Sequence, residues 1–373
     1  MILRARHGLQ FSFLDRVRSS TGKERKGIGM TSYERVMTAI GLKEPDRVPI
    51  SPRTRSFCIK HAGLTMQECF EDPDKYVGAQ LRMLREFAFD ALADLYSGAP
   101  LLNECLGKAL AFKGSGPPHA EPVFDSPDDL KKVKAIDLSG CKRMDDVYAT
   151  VGKLKQAVGK EYPVVASAPT PFRSAALLRG VQRFYHDLGR NQSFVRDLLD
   201  LCLEACKAYA TIIMDAGADI IFTSTSVASG DCISKEHYRV FVSEGHKELH
   251  ALVESRKRPI IFHTCGDWSD RFDFVAEEGS NVMFVSAGTD MGHLKKAYGT
   301  KLCLMGNIDC VQTLLMGTTD TVEKACREAL IHAAHGGGFI LADDCEVPPE
   351  TPVANLRALE SSGLEYGNYP LRI

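Results

Sequence analysis

The chain is organised around the stretch Pro259-Ile-Ile-Phe-His-Thr-Cys-Gly266, in which four apolar residues end abruptly in His-x-Cys-Gly. This pattern predicts a buried strand that runs out into a loop. Because successive side chains of a strand point to opposite faces, His263 and Cys265 are expected on the same face. An imidazole and a thiolate are both common zinc ligands in proteins. The stretch therefore offers two ligands of a metal site at the end of one strand.

A third ligand of the same kind follows another apolar run, because Cys345 comes directly after residues 338–344. A single His-x-Cys pair is weak support for a metal site, since free cysteines are frequent in protein cores. Cys202 and Cys206, four residues apart on a predicted helix, are expected to be such packing residues. Two interpretations are therefore open, a metal site and ordinary buried cysteines. The positions of the three ligand candidates relative to the predicted strands decide between them.

Short apolar runs rich in branched residues alternate with amphipathic stretches along the chain, such as the predicted helix at 193–216. The runs are Arg47–Ser51, Phe89–Tyr96, Pro163–Ala168, Asp219–Thr223, Pro259–Cys265, Asn281–Ser286, Lys301–Asn307 and Gly338–Asp343. Strands that alternate with helices indicate a parallel sheet. Eight strands and this chain length predict an α/β fold of the (β/α)8 TIM-barrel type with an N-terminal helical extension. The Gly- and Pro-rich segment Gly98–Ser126 is predicted to be a long loop over the barrel mouth.

Active sites of such barrels lie at the carboxyl ends of the strands. His263, Cys265 and Cys345 should therefore surround one mouth. Asn307 and Asp309, which follow the seventh predicted strand, are expected at the same mouth as substrate-binding residues. Asp231, after the fourth strand, is a further candidate for substrate binding, although aspartate is also common in turns for local hydrogen bonding. The convergence makes a metal centre the leading hypothesis.

Composition limits the classes of protein to consider. A net charge of −2 and 25% charged residues give no sign of a nucleic-acid partner. No apolar run reaches the ~18 residues that cross a bilayer, so no membrane partner is expected. Without a secretory signal, the twelve cysteines predict reduced thiols and a cytoplasmic protein.

Residues 1–29 carry seven Lys and Arg against two acids and are expected to be a disordered extension or to precede the true start. Residues 30–373 are expected to form a single barrel domain, and the capping box Thr31-Ser-Tyr-Glu34 to open its first helix.

Several motifs resemble one known family over nearly the whole chain from Thr31 onward. They are Glu44-Pro-Asp-Arg-Val-Pro49, Ala168-Pro-Thr-Pro-Phe172, His263-Thr-Cys-Gly266, Gly306-Asn-Ile-Asp309 and Tyr366-Gly-x-Tyr369. These stretches resemble the uroporphyrinogen decarboxylase superfamily, and within it the zinc-dependent corrinoid methyltransferases. The resemblance implies zinc held by His263, Cys265 and Cys345. It also implies methyl transfer between a corrinoid (methylcobamide) protein and a small thiol or methyl donor, in either direction.

The departures from the decarboxylase pattern favour the methyltransferase branch. The position of the decarboxylase aspartate corresponds to Ser97, which cannot supply the negative charge that the decarboxylation requires. We expect Ser97 to line the substrate pocket instead. The loop after the first strand keeps Arg53 and Arg55 but not the family's full pattern. Two alternatives remain open, a porphyrinogen decarboxylase and a barrel that binds a tetrapyrrole or corrinoid without catalysis.

Overall fold

The structure is a computed structural model that describes residues 29–96, 98–113 and 116–373. Two expectations therefore lie outside the described residues, the account of residues 1–28 and the pocket role of Ser97. The first described helix begins where the capping box predicts. The Thr31 hydroxyl accepts from the Glu34 N–H, and the Glu34 carboxylate accepts from the Thr31 N–H at 2.8 Å.

A parallel sheet of seven strands forms the centre of the molecule. In chain order its strands are β1 (Leu92–Ala93), β4 (Val164–Ser167), β5 (Ile220–Ser224), β6 (Ile260–Thr264), β7 (Val282–Val285), β8 (Cys303–Ile308) and β9 (Phe339–Asp343), and they pair in that order. Seven of the eight predicted strands are thus present with shifted ends. A separate antiparallel hairpin consists of β2 (Leu110–Ala111) and β3 (His119–Ala120).

The first predicted strand, Arg47–Ser51, is not a regular strand. It makes an isolated bridge between Ile50 and Leu341 of β9, and Ile50 accepts a hydrogen bond of 2.8 Å from the Asp90 N–H just before β1. Prolines at positions 45, 49 and 52 have no N–H group to donate, which limits ladder formation in this segment. The predicted closed eight-stranded barrel is therefore observed as a seven-stranded parallel sheet, with this extended segment touching both of its edges.

Fifteen helices of the described residues surround the sheet. They are α1 (Ser32–Ile40), α2 (Arg55–His61), α3 (Met66–Glu71), α4 (Pro73–Glu86), α5 (Ala99–Cys105), α6 (Lys142–Val158), α7 (Pro171–Arg179), α8 (Val181–Arg190), α9 (Gln192–Asp215), α10 (Lys235–Phe241), α11 (Ser243–Ser255), α12 (Phe272–Glu277), α13 (Met291–Tyr298), α14 (Thr319–Ala333) and α15 (Val353–Tyr366). The helix predicted at 193–216 is confirmed within one residue.

The prediction of one long loop over Gly98–Ser126 is wrong, because α5 and the hairpin lie within it. Leu101 and Leu102 of α5 are buried in the core, which gives this segment an anchor. No helix within the described ranges is both long enough and apolar enough to span a bilayer.

The interior of the curled sheet is apolar over most of its length and polar at the carboxyl ends of the strands. Side chains that point inward from neighbouring strands, among them Phe222, Phe284 and Ile340, form one buried cluster. Val36 and Ala39 of α1 belong to the same cluster. Helix α1 therefore fills the amino-terminal end of the sheet, and the carboxyl end is left as the place where polar side chains converge.

A buried ionic network ties α1 to the sheet. Asp90 is fully buried and accepts hydrogen bonds from Arg35 Nη1 at 2.8 Å, Arg47 Nη1 at 2.7 Å and the Ile50 N–H at 2.8 Å. Arg35 also pairs with Asp46 at 2.6 Å. Asp46 and Arg47 of the Glu44–Pro49 motif therefore have a structural role far from the carboxyl end of the sheet.

We expect Asp90→Asn to lower the free energy of unfolding by about 3–5 kcal/mol, because the buried Arg47 loses its ion-pair partner and Arg35 keeps only Asp46. Urea unfolding followed by circular dichroism measures the loss. Asp128→Asn is the matched control, since Asp128 pairs with Lys131 in an exposed position and exposed pairs contribute little. Equal midpoints for wild type and Asp90→Asn would show that the network is not needed for stability.

Candidate metal centre and active site

Three predicted ligands meet at the carboxyl end of the sheet. His263 lies near the end of β6, Cys265 follows that strand, and Cys345 lies two residues beyond β9. One ligand atom of each, the imidazole nitrogen and the two sulfurs, lies within 4.8 Å of the others. Strands β7 and β8 separate β6 from β9 in the sheet, so the curl of the sheet brings the three residues together.

One nitrogen of the His263 imidazole faces a backbone carbonyl, and the other has no hydrogen-bond partner among the described residues. Its Nδ1 lies 3.3 Å from the Phe284 carbonyl oxygen, and its ring packs against the Phe284 ring with centroids 4.5 Å apart. Its Nε2 is buried and has no hydrogen-bond partner among the described residues. With the proton on Nδ1, Nε2 presents a lone pair, and a buried lone pair without a partner is costly. A metal ion would satisfy it, and the carbonyl would fix the ring as in known metal sites.

The two thiols affect each other's acidity. The Cys345 side chain lowers the pKa of Cys265 to about 7, and the charge of Arg173 lowers that pKa further. The Cys265 side chain and burial raise the pKa of Cys345. Cys265 is therefore the more acidic thiol of the pair. Cysteine binds metals as the thiolate, so this donor set of one nitrogen and two sulfurs fits zinc.

Asp344 supports the same mouth, although the sequence analysis did not select it. Its carboxylate accepts from the Ala287 N–H at 3.0 Å and from the Cys310 N–H at 2.9 Å. It thereby joins the loops after β7 and β8, directly beside Cys345. The signal was present in the sequence, because Ile340 and Ala342 point inward and position 344 continues that alternation.

The predicted substrate-binding residues lie at or beyond the carboxyl ends of strands, with Asn307 near the end of β8 and Asp231 and Asp309 on the loops after β5 and β8. The Asp231 carboxylate is exposed and accepts from the Asp267 N–H at 2.8 Å. It lies 2.8 Å from where a Cβ on Gly266 would be, so the turn after Cys265 requires glycine. It therefore shapes the ligand loop, and contact with substrate remains a prediction.

Asn307 and Asp309 also have structural partners. Asn307 is partly buried and donates to the Thr289 carbonyl oxygen at 3.1 Å. Asp309 is partly buried and caps the short helix at 310–315 by accepting from the Val311 and Gln312 N–H groups at 2.8 and 2.7 Å. These contacts hold the loop after β8 in place, and binding of substrate by either residue stays a prediction.

Cys202 and Cys206, by contrast, are buried within α9 and do not point to the mouth. Both are fully buried, and Cys206 Sγ lies 3.6 Å from Ser174 Oγ. Burial raises the pKa of both thiols. All twelve cysteines of the chain are free thiols in the structure. The packing role expected for the α9 pair therefore agrees with its position.

Arginines near the mouth were not selected as site residues by the sequence analysis. Arg55 pairs with Glu346, and the Ser56 N–H donates to the same carboxylate at 3.1 Å. The Arg53 guanidinium lies 3.6 Å from the centre of the Phe222 ring, which in turn stacks on His263 with centroids 6.1 Å apart. Arg173 lies on the first turn of α7, and its positive charge lowers the pKa of Cys265.

Comparison with known proteins identifies the family of this chain. The uroporphyrinogen decarboxylase family profile matches residues 31–363. The chain is 26% identical over 342 residues to the methylcobamide:CoM methyltransferase MtaA of Methanosarcina barkeri, covering 90% of this chain and 98% of that protein. It is also 26% identical over 348 residues to the methylcobamide:CoM methyltransferase MtbA of Methanosarcina mazei, covering 90% and 99%. A solved structure of a methyltransferase from Methanosarcina mazei shares the fold, with a TM-score of 0.80, 23% identity, and coverage of 90% of this chain and 99% of that one. The chain therefore belongs to the uroporphyrinogen decarboxylase family.

Proposed function

We propose that this protein is a zinc-dependent methyltransferase that moves a methyl group between a corrinoid protein and a small thiol or methyl donor. The observation that carries the proposal is the convergence of the His263 imidazole with the sulfurs of Cys265 and Cys345, together with a buried Nε2 that has no hydrogen-bond partner in the described ranges. The names of the relatives MtaA and MtbA support the reaction type. The likeness covers about nine-tenths of this chain, and the family profile spans all three residues.

Each residue of the site has a defined task in this proposal. His263, Cys265 and Cys345 would hold zinc and leave a fourth position for the substrate. Bound zinc would supply positive charge, which favours the ionised form of a thiol or polarises a methyl donor. The Phe284 carbonyl keeps the imidazole in its orientation. Asp344 keeps the two neighbouring loops in place beside the open position.

Aromatic side chains shield one side of the site from water. Phe222 and Phe284 pack against the His263 ring and are themselves buried. A corrinoid carried by a partner protein would approach from the carboxyl end of the sheet, where the three residues lie. The small thiol or methyl donor would enter from the same end.

A decarboxylase reaction is the alternative within the same family. Near the end of β1, Asp94 is buried and accepts from the Ser167 N–H and Oγ, both at 3.1 Å. Its carboxylate is thus engaged with β4, and burial raises its pKa to about 6. These contacts give Asp94 a structural role, which favours the methyltransferase proposal.

The test is metal analysis of the purified protein, followed by assays of methylcobalamin demethylation with a panel of thiols and of cobalamin methylation with a panel of methyl donors. We expect bound zinc and transfer with at least one substrate. Uroporphyrinogen is assayed in parallel. Turnover of uroporphyrinogen by metal-free protein, without methyl transfer to or from any compound, would replace the proposal by the decarboxylase.

A further inference from the structure

A second pair of thiols lies apart from the candidate metal centre. Cys105 is the last residue of α5, and Cys141 directly precedes α6. Both are free and partly exposed. Burial raises the pKa of Cys105, and a side-chain hydrogen bond with Cys141 raises it further. These two residues, called here the α5–α6 thiol pair, are therefore in contact, although residues 106–140 with the β2–β3 hairpin separate them in sequence.

A two-pronged ion pair holds the two chain segments together beside these thiols. Arg143 Nε and Nη2 donate to the two carboxylate oxygens of Glu104 at 3.0 and 3.1 Å. Arg143 Nη1 also donates to the Phe70 carbonyl oxygen at 2.6 Å. Glu104 directly precedes Cys105, and Arg143 comes two residues after Cys141. Because bidentate pairing fixes geometry as well as adding energy, it holds the end of α5 against the start of α6.

Other cysteines of the chain lack this combination of contact, exposure and distance from the metal centre. Cys202 and Cys206 are fully buried within α9, where an oxidant in solution does not reach them. Cys265 and Cys345 are the candidate metal ligands. The α5–α6 thiol pair, by contrast, is partly open to solvent. Oxidation is selective for accessible thiols, so this pair is the better placed to react.

We propose that Cys105 and Cys141 form a reversible disulfide that fastens α5 to α6 when the protein meets an oxidising small-molecule disulfide. The thiolate of one cysteine attacks the small disulfide, whose S–S bond breaks to leave a mixed disulfide and one small thiolate. The other cysteine then attacks the protein sulfur of the mixed disulfide and releases the second small thiolate. The two small thiolates take up the two protons that the protein thiols lose. Two protein thiols are thereby oxidised, and one small disulfide is reduced to two thiols.

The disulfide would strengthen the part of the molecule that follows β1. Asn103 of α5 is fully buried and donates to the Glu121 carbonyl oxygen at 3.0 Å and to the Leu177 carbonyl oxygen of α7 at 3.3 Å. Helix α5 therefore links the segment beyond the hairpin to α7, and the new bond would add α6 to this group. A disulfide also restricts the unfolded chain, so closing the loop between positions 105 and 141 should raise the Tm by about 5 °C.

The charges near the thiols determine the choice of oxidant for the test. Glu104 and Asp137 contribute to the raised pKa of Cys105, so an anionic disulfide would be repelled. Purified protein with added zinc is therefore equilibrated with the neutral 2-hydroxyethyl disulfide and 2-mercaptoethanol at several ratios. Free thiols are blocked with N-ethylmaleimide, disulfides are mapped by peptide mass spectrometry, and the Tm is measured on the same samples.

We expect a peptide that links Cys105 to Cys141, together with the rise in Tm, and we expect dithiothreitol to reverse both. Cys105→Ser and Cys141→Ser should each lose the rise in Tm, because neither can close the loop. Cys206→Ser is the matched control, since that thiol is buried in α9 against Ser174, and it should keep the rise. Both readouts are independent of methyl transfer and of metal content, so they do not depend on the proposed function.

Two results would overturn this proposal. If Cys105 and Cys141 carried only mixed disulfides with 2-mercaptoethanol at every ratio, the two sulfurs would be unable to reach each other. If the rise in Tm persisted in both serine variants, it would come from another pair, and peptide mapping would show whether that pair is Cys265 and Cys345.

Discussion

Replacing Cys265 and Cys345 together by alanine should abolish zinc binding, lowering the metal content from about one ion per chain to near zero. Each single replacement should lose most of the metal, because the remaining nitrogen and sulfur cannot complete a tetrahedral site. The measurement is elemental analysis of protein purified in zinc-supplemented medium and desalted. Circular dichroism establishes that the variants are folded.

Cys206→Ala is the matched control for this experiment. It removes a thiol that is buried in α9 against Ser174, so the metal content should remain that of the wild type. If the double variant kept as much zinc as the wild type, the assignment of the three ligands would be wrong. His263→Ala should behave like the cysteine variants, because the imidazole is the third donor of the proposed site.

Removal of the metal should slow thiol-dependent demethylation of methylcobalamin by at least about 30-fold at pH 7. A free thiol of pKa ~8.5 is only about 3% ionised at that pH, whereas a cation at the site keeps the thiol ionised. The rate for metal-free protein should therefore rise about tenfold for each pH unit below ~8.5. The rate for loaded protein should change much less over the same range.

The measurement is the loss of methylcobalamin absorbance between pH 6 and 9, before and after chelation. Readdition of zinc to the stripped protein should restore the original rate and the flatter pH profile. Equal rates for stripped and loaded protein across this range would show that the metal has no part in activating the thiol. Such a result would leave the arrangement of His263 and the cysteines as a structural feature only.

Local sequence patterns predicted the parts of this molecule that depend on local geometry. Alternation along a strand placed His263 and Cys265 on one face, and the capping box located the start of α1. The extended segment 47–51 departs from prediction because apolar composition does not show whether a proline-rich stretch finds ladder partners. Its bridge partner on β9, Leu341, lies some 290 residues away in sequence.

The different environments of Arg53 and Arg55 could not be predicted from local sequence patterns. Arg55 and Arg53 are two residues apart, yet one forms an ion pair with Glu346 and the guanidinium of the other lies over the Phe222 ring. Nothing in the residue types distinguishes them. The difference arises from which side chains β5 and the loop after β9 bring to each guanidinium, and this is a property of the assembled sheet. The position of Arg173 beside the thiols has the same origin.

The bridge between Ile50 and Leu341 has a consequence for how the chain is made. Leu341 donates to the Pro49 carbonyl oxygen and accepts from the Ser51 N–H, both at 2.9 Å. Segment 47–51 can therefore form these hydrogen bonds only after β9 has been synthesised. During synthesis the segment has no partner on that side until residues 339–343 emerge from the ribosome. Contacts of such long sequence separation form slowly, and unpaired strand edges attract other chains in the meantime. The nascent chain is therefore most exposed to aggregation just before its synthesis ends, when six strands are available and the seventh is not.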